Sequence, residues 1–281
     1  MSGYSLGALL GTNQSFDDLP QAGALPSGWQ SSAFDQASFF LVAGVHSSAW
    51  GLVCHAFSTG LAQPGFSFAY GGTQPFFSQV QTHTLRARFW FRAGGADSGS
   101  YTARLWTSSL AANEWVLPAD GMLHAFDLAG LVTSHGLFPL FQVARTGGHS
   151  QTSTWWLDDV LVEADPIPLV PGWDLKRTGR WMGYAERSGS AKMFVGAGAV
   201  AQGFQLSLSW LSDSHAAQLN EWWQEQHRLV FHENSADPEA VMICRLGGSR
   251  QPVWKRVTGE SDRWEGTLTL EGLTGGELSF R

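Results

Sequence analysis

Arginine and tryptophan side chains alternate with apolar residues in two short stretches of the chain, 85–91 and 101–106. An alternation of period two predicts two β-strands, each with one buried face. The glycine-rich segment 94–99 predicts a hairpin that pairs these strands and gathers four side chains on one sheet face: Arg88, Trp90, Arg104 and Trp106. Aromatic rings stack on sugar rings, and guanidinium groups hydrogen-bond hydroxyls or carboxylates. These four residues form a candidate carbohydrate-binding surface; the alternative is an ordinary solvent-facing or partner-facing sheet.

Catalytic motifs are absent from the sequence. It contains no Gly-x-Ser-x-Gly elbow, no His-Glu-x-x-His, no phosphate-binding loop and no Gly-x-Gly-x-x-Gly fingerprint. The nine histidines lack the spacing of a zinc site. Asp158 and Asp159 are adjacent strand residues that should point to opposite faces, so we do not expect them to flank one glycosidic bond. The sequence therefore predicts a protein that is not an enzyme.

Two motifs mark the ends of the first half of the chain. Segment 13–18 reads Asn-Gln-Ser-Phe-Asp-Asp and 25–29 reads Leu-Pro-Ser-Gly-Trp, while 154–163 is an apolar β-run that contains Leu-Asp-Asp-Val. Over residues 11–163 the chain resembles the β-jelly-roll carbohydrate-binding modules of the galactose-binding-like group. The resemblance implies a β-sandwich that binds glycans on a concave sheet face.

Such modules often hold a structural calcium ion between their first and last strands. The resemblance implies that Asp17 and Asp158 come together there, and paired carboxylates with backbone carbonyls suit calcium. The alternative is that both are strand-end carboxylates that cap turns.

A proline-rich segment follows the last of these motifs. Residues 164–172 contain three prolines, which cannot donate hydrogen bonds to a β-ladder, and therefore predict a linker. We expect the chain to divide near Asp165 into a jelly roll, 1–165, and a second β-rich domain, 166–281.

The second half combines short strands with one helix. Residues 204–210 alternate cleanly, with Phe204, Leu206, Leu208 and Trp210 expected to point inward. Ser212, Asp213 and Ser214 are N-cap residues for a helix near 214–228, with a predicted buried stripe of Ala216, Leu219 and Trp223. Four strands follow, at 229–232, 240–245, 252–257 and 264–270. The fold class is mainly β, with a C-terminal antiparallel β domain carrying one helix.

Residues 173–281 resemble the tail-tube and baseplate domains of long-tailed bacteriophages, including the ring-forming domain of distal tail proteins. The segments that carry the likeness are 219–223, 231, 244–248, 253–255 and 264–271. It implies a structural virion protein of the phage tail, assembled in the host cytoplasm. The expected partners are further copies in a homo-oligomeric ring, for instance a hexamer, and the tail tube, hub and tape measure proteins. The jelly roll would decorate the ring and contact host-surface glycan.

Composition supports a β-rich binding or assembly protein. The chain has 33 Gly, 18 Phe and 14 Trp, with 15% charged residues. A net charge of −7 argues against nucleic-acid binding. Residues 1–10 lack the basic segment and the apolar length of a secretion signal or a membrane span. Cys54 and Cys244 lie among apolar neighbours in different halves, so we expect two reduced core cysteines.

Two functions are compatible with these patterns. The first is the structural protein of a phage tail tip or baseplate. The alternative is a free-standing carbohydrate-binding protein, or an accessory module of a polysaccharide-degrading system. The oligomeric mass distinguishes them, because a baseplate subunit should close into a ring whereas a binding module should be a monomer.

Overall fold

The structure is a computed structural model of the 281-residue chain. It describes residues 4–10, 29–32, 37–43, 46, 50–56, 65–68, 82–94, 100–106, 112–133, 141–147, 153–169, 171–182, 185–187, 193–195, 199–232, 241–248 and 250–273. The described residues form two compact units, one within 9–166 and the other made of 4–8 and 167–273. No helix among them is long and apolar enough to cross a membrane.

The elements are numbered in chain order. The first eleven strands are β1 (Tyr4–Leu10), β2 (Trp29–Ser32), β3 (Ala37–Ala43), β4 (Trp50–Ala56), β5 (Gly65–Phe68), β6 (Thr82–Ala93), β7 (Ser100–Trp106), β8 (Ala112–Leu117), β9 (His124–Thr133), β10 (Phe141–Gly147) and β11 (Ser153–Leu169). The remaining elements are β12 (Pro171–Met182), β13 (Ala185–Arg187), β14 (Met193–Val195), β15 (Ala199–Ser212), α1 (Asp213–Gln224), β16 (Leu229–His232), β17 (Val241–Leu246), β18 (Trp254–Arg256) and β19 (Arg263–Gly272).

The strand pairing of the first unit is that of a jelly roll. Strand β4 pairs with β11, β5 with β10, β6 with β9 and β7 with β8, all antiparallel, like the two arms of one long hairpin. Because β6 also pairs with β11 and β7 with β10, the arms fold into two sheets of order β3-β4-β11-β6-β9 and β2-β5-β10-β7-β8. This arrangement confirms the predicted jelly-roll β-sandwich and the mainly β fold class.

The core of the jelly roll lies between these two sheets. The inward residues of β6 are buried as predicted: Leu85, Ala87, Phe89 and Phe91. Their rings contact rings of the facing sheet, with 5.2 Å between the centroids of Phe89 and Phe141 and 5.5 Å between those of Phe91 and Tyr101. Large aromatic side chains supply much of the apolar area that such a small sandwich can bury.

The predicted hairpin between residues 85–91 and 101–106 is wrong. Strands β6 and β7 belong to different sheets, and their inward faces meet across the core. In a jelly roll the connection between these two strands crosses from one sheet to the other. The alternating pattern identified the buried face of each strand, but it does not specify which strand lies beside it.

The predicted linker at 164–172 is also replaced by strands. Strand β11 continues through Pro166 and Pro168 to Leu169, and β12 begins at Pro171. Proline is accepted at strand positions where the ladder requires no N–H donor. The boundary between the two units falls inside β11, between Pro166 and Ile167, beside the division predicted near Asp165.

The second unit contains an antiparallel sheet of order β12-β15-β19-β17-β16-β1, with β18 paired to β19. Its strand β1 comes from the N-terminus of the chain and pairs with β16 from Ser5↔His232 to Ala8↔Leu229. Residues 4–8 therefore belong to this unit, although the sequence assigned them to the jelly roll. In sequence terms, the jelly roll is inserted between two strands of the second unit.

Helix α1 begins where the sequence predicts and ends earlier, at Gln224. The Ser212 hydroxyl accepts a hydrogen bond from the His215 N–H at 3.2 Å, which is the expected N-cap contact. The buried helix residues are Ala216, Leu219 and Trp222, so the stripe runs at a spacing of three, and the predicted third member, Trp223, is half-buried.

The prediction that Trp210 points inward is wrong. The register of β15 against β19 shifts between Leu208 and Leu211, and Trp210 has a φ of 64°. A β-bulge adds one residue to a strand and reverses the alternation beyond it. Leu211 is therefore buried, whereas the Trp210 side chain is 55% exposed.

Both cysteines are buried, free core residues, as predicted. Cys54 lies in the jelly roll and Cys244 in the second unit. Burial raises the pKa of each thiol well above its usual value, which makes the reactive thiolate form scarce.

Candidate functional site

The outer face of β6 carries the candidate site. Its inward residues fill the core, so the alternate residues Arg86, Arg88, Trp90 and Arg92 lie on the opposite side of the sheet. Strand β11 pairs with β6 on one side, with Trp156 opposite Arg92 and Asp158 opposite Trp90. Strand β9 pairs on the other side and places Asp127 opposite Arg88. We call this surface the β6 outer face.

The sequence-predicted surface is split by the fold. Arg88 and Trp90 lie on the β6 outer face, whereas Arg104 and Trp106 belong to β7 of the other sheet. The inward residues of β7 are core residues, so Arg104 lies on the far side of the sandwich, where its Nε is 2.6 Å from Glu114 Oε1. The side chain of Trp106 lies outside the described residues. Arg88 and Trp90 therefore do not share a face with Arg104.

Two arginines of the β6 outer face share one carboxylate. Arg86 binds Asp127 through Nε and Nη2 at 2.7 and 2.6 Å, and Arg88 Nη2 binds the same group at 2.8 Å. Glu163 Oε1 lies 3.7 Å from Arg86 Nη1. Burial acts to raise the pKa of Asp127, but the hydrogen bonds from both arginines outweigh it and hold that pKa below its usual value. This end of the face is a compensated ionic cluster.

Trp90 is held by a histidine at the middle of the face. The rings of Trp90 and His46 stack with 3.8 Å between centroids and an interplanar angle of 18°. His46 is fixed in turn by β11, because its N–H donates to Asp158 Oδ2 at 2.9 Å and its Nδ1 lies 2.7 Å from Asp159 Oδ2. Trp90 itself is half-buried, so part of its indole stays open to solvent.

A β-bulge brings both aspartates to the same histidine. The register of β11 against β6 shifts between Asp158 and Leu161, and Asp159 has a φ of 45°. The expectation that these carboxylates point to opposite faces is therefore wrong, because a bulge breaks the strict alternation. Asp158 is fully buried, and its Oδ1 accepts the Asp159 N–H at 2.9 Å. It serves as an acceptor for two backbone N–H groups from a position within β11 rather than at a strand end.

The predicted partner of Asp158 in a calcium site, Asp17, lies outside the described residues. Within the part of the chain that the structure describes, no group of three or more His, Cys, Asp or Glu side chains could hold a metal ion. The calcium site stays a prediction from the resemblance.

Arg92 and Trp156 form the other end of the face. The Arg92 guanidinium lies over the Trp156 ring, 5.0 Å from its centroid, in a cation–π contact. Arg92 is exposed and Trp156 is half-buried. Directly opposite residues of an antiparallel pair are close neighbours, and diagonal ones lie about 7–8 Å apart. Trp90 and Trp156 occupy diagonal positions across β6 and β11 on this face.

Arg92, Trp156 and His46 are residues of this face that the sequence analysis did not identify. Arg92 continues the alternation of Arg86, Arg88 and Trp90, so extending that pattern by two residues identifies it. Trp156 follows the buried Trp155 and must point outward by the same rule. His46 carries no local signal, because only the fold brings it to β11.

Comparisons with known proteins give distant structural likenesses. No protein-family model and no curated protein matches the chain. An arabinose-bound MgGH51 α-L-arabinofuranosidase is 16% identical with a TM-score of 0.43, covering 57% of this chain and 27% of that one. An exo-β-agarase is 13% identical with a TM-score of 0.35, covering 57% and 25%. The chain thus spans about a quarter of the length of these two proteins.

A carbohydrate-binding module is matched over nearly its whole length. The family 11 module of the cellulosomal cellulase Lic26A-Cel5E of Clostridium thermocellum is 13% identical with a TM-score of 0.33, covering 54% of this chain and 94% of that one.

Proposed function

We propose that the chain binds glycans through the β6 outer face of its jelly roll. The observation that carries this proposal is the pair of adjacent cross-strand positions, Arg92 with Trp156 and Trp90 with Asp158. They place two half-buried indoles and an exposed guanidinium side by side on one sheet. Indole rings offer apolar surface to sugar C–H groups, and the guanidinium offers a fixed set of N–H donors to sugar oxygens.

The contacts that hold these side chains in place favour a binding surface over a mobile polar face. The His46 ring holds Trp90, and the Trp156 ring holds Arg92. Side chains that are already fixed lose less conformational entropy when a ligand binds, so the same contacts give a higher affinity. The buried Asp158 anchors this arrangement to β11.

Replacing Trp156 or Trp90 with Ala should weaken glycan binding about tenfold or more, because each change removes a stacking surface of the face. The measurement is binding of the full-length chain to a glycan array, followed by calorimetric titration with the best soluble ligand. Circular dichroism melting reports whether each variant is folded.

The matched control is Trp210→Ala, which removes an exposed indole from the second unit. It should leave glycan affinity unchanged. Full binding by a folded Trp156→Ala, Trp90→Ala double variant would remove the β6 outer face from consideration.

A second proposal concerns the second unit: a structural role in a phage tail tip or baseplate, with copies of this chain assembled in a ring. Its support is an open groove of about 480 Å³ beside α1. The groove is lined mainly by apolar residues that include Pro252, Trp254 and Trp264, together with the polar residues Asp213, Asn220 and Gln251. Val253, another lining residue, is 72% exposed. Contiguous exposed apolar surface commonly marks an assembly site.

The solution mass of the full-length chain tests this second role. A ring should have a mass that is a whole multiple of 30.6 kDa, and Val253→Asp should shift it toward the monomer because it introduces a charge into the contact. The mass is measured by light scattering after size exclusion. A monomer at every concentration contradicts the ring and leaves the glycan proposal intact.

A further inference from the structure

The three arginines of the β6 outer face have different electrostatic environments. Arg86 and Arg88 both bind Asp127, and Glu163 lies close to Arg86. Their positive charge is largely compensated by these two carboxylates. This part of the face is therefore an internally neutralised ion cluster, with little net charge to attract a ligand.

Arg92 lies at the other end of the face, and its guanidinium contacts an aromatic ring rather than a carboxylate. Its guanidinium lies 5.0 Å from the centroid of the Trp156 ring and is exposed. Among the residues that the structure describes, no carboxylate forms an ion pair with it. A cation–π contact orients a guanidinium without neutralising it, so its N–H groups remain able to bind an anion.

Two acidic groups of the adjacent strand β11 already have hydrogen-bond partners. Asp158 is fully buried and accepts two backbone N–H groups. Asp159 Oδ2 lies 2.7 Å from His46 Nδ1. A ligand carboxylate placed beside Arg92 would therefore meet an exposed guanidinium, while these two aspartates are occupied by their own donors.

We propose that the glycan bound by this face is acidic, and that Arg92 binds the carboxylate of a uronic acid residue whose ring lies against the neighbouring indoles. This inference rests on the proposed glycan-binding function. The chain as a whole carries a net charge of −7, which repels polyanions in general. Selectivity for an acidic sugar must then come from a local contact, and a guanidinium fork matches a carboxylate in shape and charge.

The test compares two probes, an oligogalacturonate and its fully methyl-esterified form, in which a neutral ester replaces each carboxylate. Each is titrated calorimetrically into the full-length chain at low and high salt. We expect the acid to bind about tenfold more tightly than the ester at low salt, and the difference to shrink at high salt because ions screen an exposed pair.

Two substitutions assign the effect to Arg92. Arg92→Gln should abolish the preference, so that acid and ester bind with equal affinity at low salt. Arg92→Lys should keep part of the preference, because it keeps the charge and loses the fork. The matched control is Arg104→Gln, which removes an arginine from the outer face of the opposite sheet and should preserve the preference.

Failure of this inference can be separated from failure of the proposed function. Equal binding of acid and ester by the unmodified chain, or an acid preference that survives Arg92→Gln, overturns the acidic ligand. If both probes bind equally well and Trp156→Ala abolishes their binding, the β6 outer face still binds glycans, but without a preference for acidic ones. If neither probe binds, the acidic ligand is wrong, and the glycan array decides the function separately.

Discussion

Replacing Trp155 with Ala should lower the unfolding free energy by about 3–5 kcal/mol, the largest effect expected for a single change in the jelly roll. Trp155 is fully buried, and its ring contacts Phe91 at 6.0 Å and Tyr101 at 6.1 Å between centroids. These contacts join both sheets. Loss of the indole removes a large apolar area and leaves a cavity that rigid aromatic neighbours cannot fill.

The neighbouring Trp156 is the matched control. It is the same residue type in the same strand, but it lies half-buried on the outer face. Trp156→Ala should cost about 1 kcal/mol or less, because surface positions lose little packing. The two variants are compared by urea unfolding, monitored by far-ultraviolet circular dichroism. Equal losses of stability would mean that the inward and outward sides of β11 are assigned incorrectly.

The contrast between Trp155 and Trp156 also shows what a sequence can predict. Which face of β6 or β11 is buried depends on local alternation, so residues such as Phe89 and Leu157 were predictable from their neighbours. The N-cap at Ser212 is equally local, because its hydroxyl binds an N–H three residues away. These features need no knowledge of the rest of the chain.

Pairing between strands depends on distant residues and was harder to predict. The segment between β6 and β7 has the glycine content of a hairpin loop, yet it joins two different sheets. The assignment of β1 to the second unit depends on its pairing with β16, more than 200 residues later in the chain. No local pattern encodes either choice.

Bulges account for two further differences, at Asp159 and Trp210. Asp159 and Trp210 both have positive φ values without being glycine, and each lies where a register shifts. Such residues adopt a backbone that their type disfavours, because the surrounding sheet determines it. The bulge at Asp159 brings His46 to β11 and so completes the support of Trp90. For this reason the sequence identified Trp90 but not the histidine that stacks on it.

Replacing Asp127 with Asn should destabilise the chain by about 2 kcal/mol near neutral pH. The change keeps the shape of the side chain but removes the charge to which Arg86 and Arg88 donate. Arg88 is only 4% exposed, so water replaces the lost bonds poorly. Asp127 itself is 36% exposed, and solvent screening keeps the expected cost at the lower end for a broken ion pair.

The pH dependence of this loss has a definite sign. The pKa of Asp127 is lower in the folded chain than its usual value, so the carboxylate contributes stability above its unfolded pKa of about 3.9. This contribution disappears as the pH falls through the lower, folded pKa. The difference between the unmodified chain and Asp127→Asn should therefore be constant above about pH 5 and shrink below about pH 4.

Glu114→Gln provides the comparison for this charge cluster. Glu114 is 52% exposed and pairs with Arg104 alone among the described ion pairs, so its loss should cost less than about 1 kcal/mol. Urea unfolding at several pH values between 3 and 7 measures both variants. A cost for Asp127→Asn no larger than that for Glu114→Gln would show that one carboxylate shared by two arginines stabilises the fold no more than a surface pair. An unchanged difference at pH 3 would contradict the lowered pKa, because below the unfolded pKa of about 3.9 the unfolded chain takes up the proton before the folded chain does, and the stability contributed by the carboxylate must then decrease.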